Sequence, residues 1–265
     1  MAFLVVVLAS LASAASPDVG VAVRSSIGDL HGFPSMSDEA GRVVATGELR
    51  QERHGDRLEV HLRWAFHDGR IVEEQDAFEV GRSLRQTRFL WVERRSGVEE
   101  RRFEVDFEAG RAQAVIRKDG KERRDEARID RGDRRAFAGY GVALVAAQLP
   151  LGAPGEAAEL TLVAFTPGPR AVALEVRRDP EERLEEAGRA VASDRYTLHP
   201  KIPFPVSVFA HARDGHLWFT HAPPRALVRA EQELVAKDDP RVVIDVVPRV
   251  DPQGVRREAR RPPAR

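Results

Sequence analysis

Histidines and carboxylates are the side chains here with chemistry to offer, because the chain contains no cysteine. That absence excludes disulfides, a thiolate nucleophile, cysteine-ligated zinc and a lipidated amino-terminal cysteine. His211, His216 and His221 lie close enough in sequence to raise a metal site. If Asp214-Gly215 makes a two-residue turn, Ala212 pairs with Leu217 and Ala210 with Phe219. His211 and His216 then share a face diagonally and His221 projects to the other. Two imidazoles are fewer than a structural zinc centre needs, so solvated histidines flanking Trp218 are the simpler reading. His54, His61 and His67 fall at a turn or on a polar face. No metal and no cofactor is expected.

Glu73-Glu74-Gln75-Asp76 puts carboxylates where the alternation between Val72 and Phe78 calls for apolar groups. Either a bulge near Asp68 to Arg70 flips the face, or Glu74 and Asp76 point into a polar interior, toward Arg88 on the next strand. Buried charges persist only when paired. The chain has no G-x-S-x-G elbow and no glycine-rich phosphate loop opening a helix. No catalytic residue can be named from it.

The elements that would position these groups are mostly strands. In residues 57–67, Leu58, Val60, Leu62, Trp64 and Phe66 alternate with charged or histidine residues, the pattern of a half-buried strand. A turn at Gly55-Asp56 sets Leu49 opposite Leu62, Gly47 opposite Trp64 and Ala45 opposite Phe66, so that a glycine makes room for the indole. Turn signals recur at Asp68-Gly69, Gly81-Arg82-Ser83, Ser96-Gly97, Ala109-Gly110 and Asp119-Gly120, the rhythm of an antiparallel meander. Phe103, Val105 and Phe107 share a face, with Ala112, Ala114 and Ile116 across from them.

One apolar, alanine-rich segment interrupts the strands. Phe137, Tyr140, Leu144 and Ala147 recur at helical spacing, which predicts a buried helix over 134–149. Gly139 and Gly141 weaken it as an isolated helix, so packing against a sheet must hold it. Pro150 and Gly152 end it. Beyond it, 159–165 and 171–177 form a hairpin across Pro167-Gly168-Pro169, and strand-like segments continue to Val247. Residues 181–187 alternate like a strand or make a short polar helix.

The chain has 265 residues, 42% hydrophobic and 32% charged, with a formal net charge of +0. That balance suits one sizeable soluble core and argues against nucleic acid as a partner. The expected organisation is a signal peptide over 1–15, a lead-in over 16–42, a single β-rich domain over 43–247 and a basic, disordered tail over 248–265. The apolar run from Phe3 to Leu11 ends in Ala12-Ser13-Ala14, a small-residue cleavage pattern, although no basic residue precedes it. A buried first strand is the alternative. No segment is long enough to span a bilayer as a helix. The tail, VRREARRPPAR, would attract anionic envelope surfaces weakly.

The order of parts is itself suggestive: a meander, an apolar helix ending in LPLG, a hairpin, a strand ending near YTLHP, then RDGHLWF and ALVRAEQELV. It resembles a secreted bacterial β-rich family known as a domain of unknown function, the 3108 type, over roughly 43–235. The resemblance implies a curved, lipoprotein-carrier-like half-barrel with the helix against its concave side, and it carries over no catalytic residues. The fold expected is therefore mainly β, a curved antiparallel meander or incomplete barrel with one apolar helix on its concave side.

Trp64, Phe66, Phe89, Trp91, Phe103 and Phe107, with Phe137, Tyr140 and Leu144 from the helix, either form the core or wall a cavity for an apolar ligand. The function expected is a non-enzymatic periplasmic or secreted envelope protein binding a hydrophobic or amphipathic ligand, or a partner protein, on its curved sheet. The alternatives are an assembly factor acting by sheet-edge pairing and its basic tail, and an enzyme of unrecognised type. No pattern sets an oligomeric state.

Overall fold

In the computed structural model the described residues are 20–165, 168–186, 189–201, 213–222, 225–233 and 240–246. The expected signal segment and basic tail lie outside them, as do Ala210, His211 and Ala212. The first half of the chain forms β1 (Val21–Ala22), β2 (Leu30–Gly32), β3 (Ser35–Asp38), β4 (Val43–His54), β5 (Arg57–Phe66) and β6 (Arg70–Val80). It continues through β7 (Ser83–Arg95), β8 (Val98–Asp106), β9 (Arg111–Lys118) and β10 (Lys121–Arg128). A connector leads to β11 (Ala136–Phe137) and a short helix, α1 (Gly141–Ala146). The second half supplies β12 (Ala157–Ala164), β13 (Arg170–Arg178), β14 (Glu182–Glu186), β15 (Arg189–Lys201), β16 (Gly215–Thr220), β17 (Leu227–Glu233) and β18 (Arg241–Asp245).

Strands β4 to β10 form one antiparallel meander, each paired with the next. A second runs from β12 to β18, with β13 and β14 end to end along β15. The halves join where β18 lies antiparallel to β3, which is also paired with β4. The free ends of this curved sheet are β10 and β11, the latter paired in parallel with β12. Only residues 129–135 connect them, so the ends cannot lie more than about 30 Å apart. Among the described residues no ladder closes that gap. A Cβ placed on Gly168, beyond β12, would lie 3.6 Å from the Asp125 Cβ of β10. The chain beyond β12 thus passes close to β10 without pairing with it, and the barrel is incomplete.

The meander register matches the sequence pattern at Gly47–Trp64, Leu49–Leu62, Ala45–Phe66, Phe103–Ala114 and Val105–Ala112. Three expectations are corrected. The helix spans six residues rather than 134–149. Ala136 and Phe137 are extended because their backbones pair with Thr161 and Leu162, and Gly139, at φ +51°, turns the chain through the left-handed region before α1 starts. The segment set apart as a lead-in over 16–42 is, from Val21 on, part of the sheet: β1 pairs with β7, β2 and β3 with β4, and the Gln148 amide accepts from the backbone N–H of Arg24 (2.8 Å) and Ser25 (2.9 Å). Finally, no bulge flips β6 near Asp68 to Arg70. Its register with β5 is unbroken from Ile71 to Glu79, and the irregularity lies at Ala77/Phe78, on the side facing β7.

Residues 182–186 are strand. Leu217 lies opposite Tyr196 and Ala230, and Phe219 opposite Asp194 and Leu227. Strand β12 is buried on both faces: Leu160 packs in one cluster with Phe137 and Val145, while Val163 and Phe165 join Phe89 and Phe103 in the other. The strand next to the free end β11 thus contributes to both clusters.

A Cβ on Gly47 would lie 2.8 Å from the Trp64 ring. Gly47→Ala is expected to cost about 1–3 kcal/mol in chemical denaturation, as overpacking does. Adding Trp64→Leu should make the Gly47→Ala step nearly neutral, which a double-mutant cycle measures directly.

Candidate functional site

Unbroken pairing of β5 with β6 turns Val72, Glu74, Asp76 and Phe78 to the same inner side. Glu74 lies between Leu62 and Trp91, and Asp76 between Val60 and Phe89. Asp76 is buried, and Glu74, partly exposed along its stem, has its carboxyl enclosed. These two carboxyls stand at the boundary between the two core clusters, beside Leu62, which packs against both. Arg88 is not their partner; it pairs with Glu104 at 3.3 Å.

Their partners come from Gln86 and from the segment entering α1. Glu74 Oε1 accepts the Tyr140 backbone N–H at 2.5 Å. Asp76 Oδ1 accepts from Gln86 Nε2 at 2.6 Å, and the same nitrogen lies 3.2 Å from the Ala138 carbonyl. Gln86 Oε1 accepts the Ala138 N–H at 2.8 Å. Gln86 thus reads both backbone groups of Ala138 while holding Asp76. Gly139 is required between these contacts, because a Cβ there would lie 2.2 Å from Glu74 Oε1 and 2.4 Å from Phe89 Cε2.

Burial is the main cause raising the pKa of both carboxyls, Asp76 well above its ordinary value. The neighbouring Glu74 charge pushes Asp76 up further, and a proton on Asp76 would turn its buried Oδ2, otherwise without a hydrogen-bond partner, into a donor toward Glu74, so that the pair shares one proton. Burial, then Asp76 and Glu74, also raises the Tyr140 hydroxyl, so it stays neutral. The group is a neutral-to-monoanionic polar layer within an apolar interior. It can donate or accept hydrogen bonds, and it has no base paired with an identified nucleophile.

The sequence-predicted aromatic set is brought together in part. Trp64, Phe66, Phe89, Trp91, Phe103 and Phe137 are buried, and Phe107, Tyr140 and Leu144 are partly buried. Trp91 stacks on Phe103 (5.0 Å), Phe103 on Phe165 (4.8 Å) and Phe165 on Phe89 (5.7 Å). Beyond the row, Arg101 covers Trp91 and Arg70 covers Phe66, and both reach the buried Glu93, at 2.7 and 3.5 Å. Phe137 lies in the other cluster, with α1.

The described histidines do not converge. His216 sits 3.2 Å from the Thr197 hydroxyl, its pKa pushed down by burial and then by Arg195. His221 Nδ1 lies 2.9 Å from Asp194 Oδ1, a fully buried carboxylate that also takes Arg178 Nη2 at 2.8 Å. His211 lies outside the described residues. Among the described residues no three potential ligands gather around a metal-sized space.

Known proteins were compared with this chain at the level of family, sequence and structure. No family profile matches, and no curated protein is significantly similar. Similar solved structures do exist, and three of them are as follows. The chain resembles a β-barrel-like protein of the domain of unknown function DUF1849 from Brucella abortus, at 11% identity and TM-score 0.45, covering 84% of this chain and 98% of that one. It resembles the hypothetical lipoprotein YmcC of Escherichia coli at 10% identity and TM-score 0.37, covering 82% and 84%. A Bacteroides fragilis protein described as exported, with a YmcC-like fold, aligns at 11% identity and TM-score 0.30, covering 87% and 98%. These likenesses assign no activity.

Gln86 and Gln148 were missed from sequence. Each has a signal: Gln86 is a polar residue in phase with the inward Leu84, and Gln148 is the one amide in the apolar run before Pro150.

Because both carboxyls hold protons more tightly when folded, their contribution to stability is fullest below the ordinary values of 3.8 and 4.5 and is lost as pH rises through the raised folded values. Asp76→Asn keeps an acceptor for Gln86 and gives Glu74 a permanent donor. Urea denaturation from about pH 4 to about pH 8 should show the variant losing less stability than the wild type. Parallel profiles would contradict the shared proton. Gln86→Leu strands the Ala138 backbone and should cost about 3 kcal/mol.

Proposed function

We propose that this chain is a non-enzymatic envelope protein that holds a hydrophobic or amphipathic ligand against the inner side of its curved sheet. The observation that carries the reading is a set of apolar side chains, Leu62, Tyr140, Leu144 and Ile244, that pack against the buried core yet stay partly accessible. Apolar surface left in water gains nothing from packing, so an apolar ligand covering these side chains would be favoured. Glu74, opposite Leu62 and only partly buried, adds its methylene stem to this apolar surface. The export expected from the apolar start of the chain, and kinship with the 3108-type family on the order of its parts, belong to the same proposal.

Edge pairing is the weaker alternative. The free edge strand β10 is Lys-Glu-Arg-Arg-Asp-Glu-Ala-Arg and mostly exposed. Charges of both signs along an edge oppose the addition of a further strand.

A neutral fluorescent probe such as N-phenyl-1-naphthylamine should bind the folded wild-type protein saturably, and Leu144→Glu should abolish that binding. Leu144→Ala should cost less than about 1.5 kcal/mol, against about 2–5 kcal/mol for Leu149→Ala at a buried site. Absence of saturable uptake by the wild type would remove the ligand reading.

A further inference from the structure

A pocket of about 410 Å³ opens where the connector between the sheet ends crosses β7 and β8. It is lined by Arg85 of β7, Phe107 and Glu108 just beyond β8, and Arg131, Gly132 and Arg134 of the connector. Arg85 is already engaged, with Glu79 at 2.6 Å and Glu108 at 3.5 Å. Arg131 and Arg134 have no ion pair with any described residue.

The nearby connector carboxylates are engaged by the connector's own backbone. Asp130 Oδ1 accepts the Gly132 N–H at 2.8 Å, and Asp133 Oδ1 accepts the Arg135 N–H at 2.9 Å. With Glu108 set against Arg85, the pocket keeps two uncompensated guanidiniums. Phe107, the last inward aromatic after Phe103 and Val105, is only partly buried and gives the pocket an apolar wall. Sequence patterning had put Phe107 in the common aromatic set, whereas the structure leaves it at the seam.

We propose that this pocket binds a phosphate-bearing ligand, with Arg131 and Arg134 taking the phosphate oxygens and Phe107 the adjoining carbon atoms. Two planar forks presenting paired N–H groups match a group with three acceptor oxygens and a charge of about −1.5 to −2. A single carboxylate would occupy one fork and leave the other unanswered. The volume exceeds what one inorganic phosphate fills, so the ligand carries more than the anion: a soluble phosphate monoester or the headgroup of a phospholipid. The site does not rest on the apolar-ligand reading, since Leu62, Tyr140, Leu144 and Ile244, which carry that reading, do not line it.

The test uses the full chain. Inorganic phosphate and glycerol 3-phosphate are titrated by calorimetry, and phosphatidylglycerol vesicles are examined by flotation. At least one probe should bind saturably, and Arg131→Gln with Arg134→Gln should weaken it about tenfold or more. Replacing both by lysine, which keeps the charge but not the fork, should recover only part of the loss. The control is Arg88→Gln with Arg213→Gln, which removes the same charge from positions 59% and 65% exposed. It should leave binding unchanged. Binding of the soluble ester identifies a free metabolite, and binding of vesicles alone identifies a headgroup; either supports the site when the connector arginines are required. No saturable binding by any probe, or equal weakening in the control, overturns it. Unchanged thermal melting of the connector variants guards against misreading a folding defect.

Discussion

The placement of Glu74 and Asp76 inside the sheet is the constraint on which the rest of the structure depends. Two carboxyls on an inward face are costly unless they are neutralised and hydrogen-bonded. Here one shared proton, one glutamine and the Tyr140 backbone N–H meet that requirement. The groups that satisfy it belong to residues 138–140, so the chain must cross the interior at this level and in this register. A polar layer in an apolar core specifies position more narrowly than packing alone, since a shift of one residue would leave every member unpaired.

Once the segment is fixed there, the remaining architecture follows. It crosses from one core cluster to the other, with Ala138 in the aromatic cluster and Phe137 and Val142 in the other. Two further polar anchors hold its far end. Gln148 takes the backbone of Arg24 and Ser25 and so draws the amino-terminal strands onto β4 and β7. Arg178, braced by the fully buried Asp194, donates to the Leu151 carbonyl at 3.3 Å and to that of Gly152. The strap from β11 to β12 is thus tied at its start, middle and end to three different parts of the sheet. Six helical residues without a side-chain cap could not stand unaided. A strap fixed in this way fills the concave side, and the sheet needs no final ladder to stay curved.

The meander was legible in the sequence because period-two alternation and turn residues report strands locally. Trp64 opposite Gly47 is the clearest case, a steric complement written in two residues. Features that depend on distant partners were not legible. The amino-terminal strands lack alternation and owe their form to β4, β7 and Gln148. Helical spacing over 134–149 overstated α1 because the pairing of Ala136 with Thr161 and the positive φ of Gly139 are tertiary facts. For Glu74 and Asp76 the alternation itself was sound, and the choice between a flipped face and an inward pair turned on Gln86 and Ala138, far away in the chain. Phe107 and Leu144 looked like equal members of one aromatic set until the fold separated the sealed row from the accessible positions.

Backbone hydrogen exchange at Ala138 and Tyr140 tests most directly whether the carboxyl layer holds the strap. Their amides donate to Gln86 Oε1 and Glu74 Oε1. The account predicts protection factors near those of core strand amides in mildly acidic solution, falling toward and above neutral pH as the shared proton is lost. Protection no greater than at the exposed edge strand β10, or protection that does not change with pH, would contradict it.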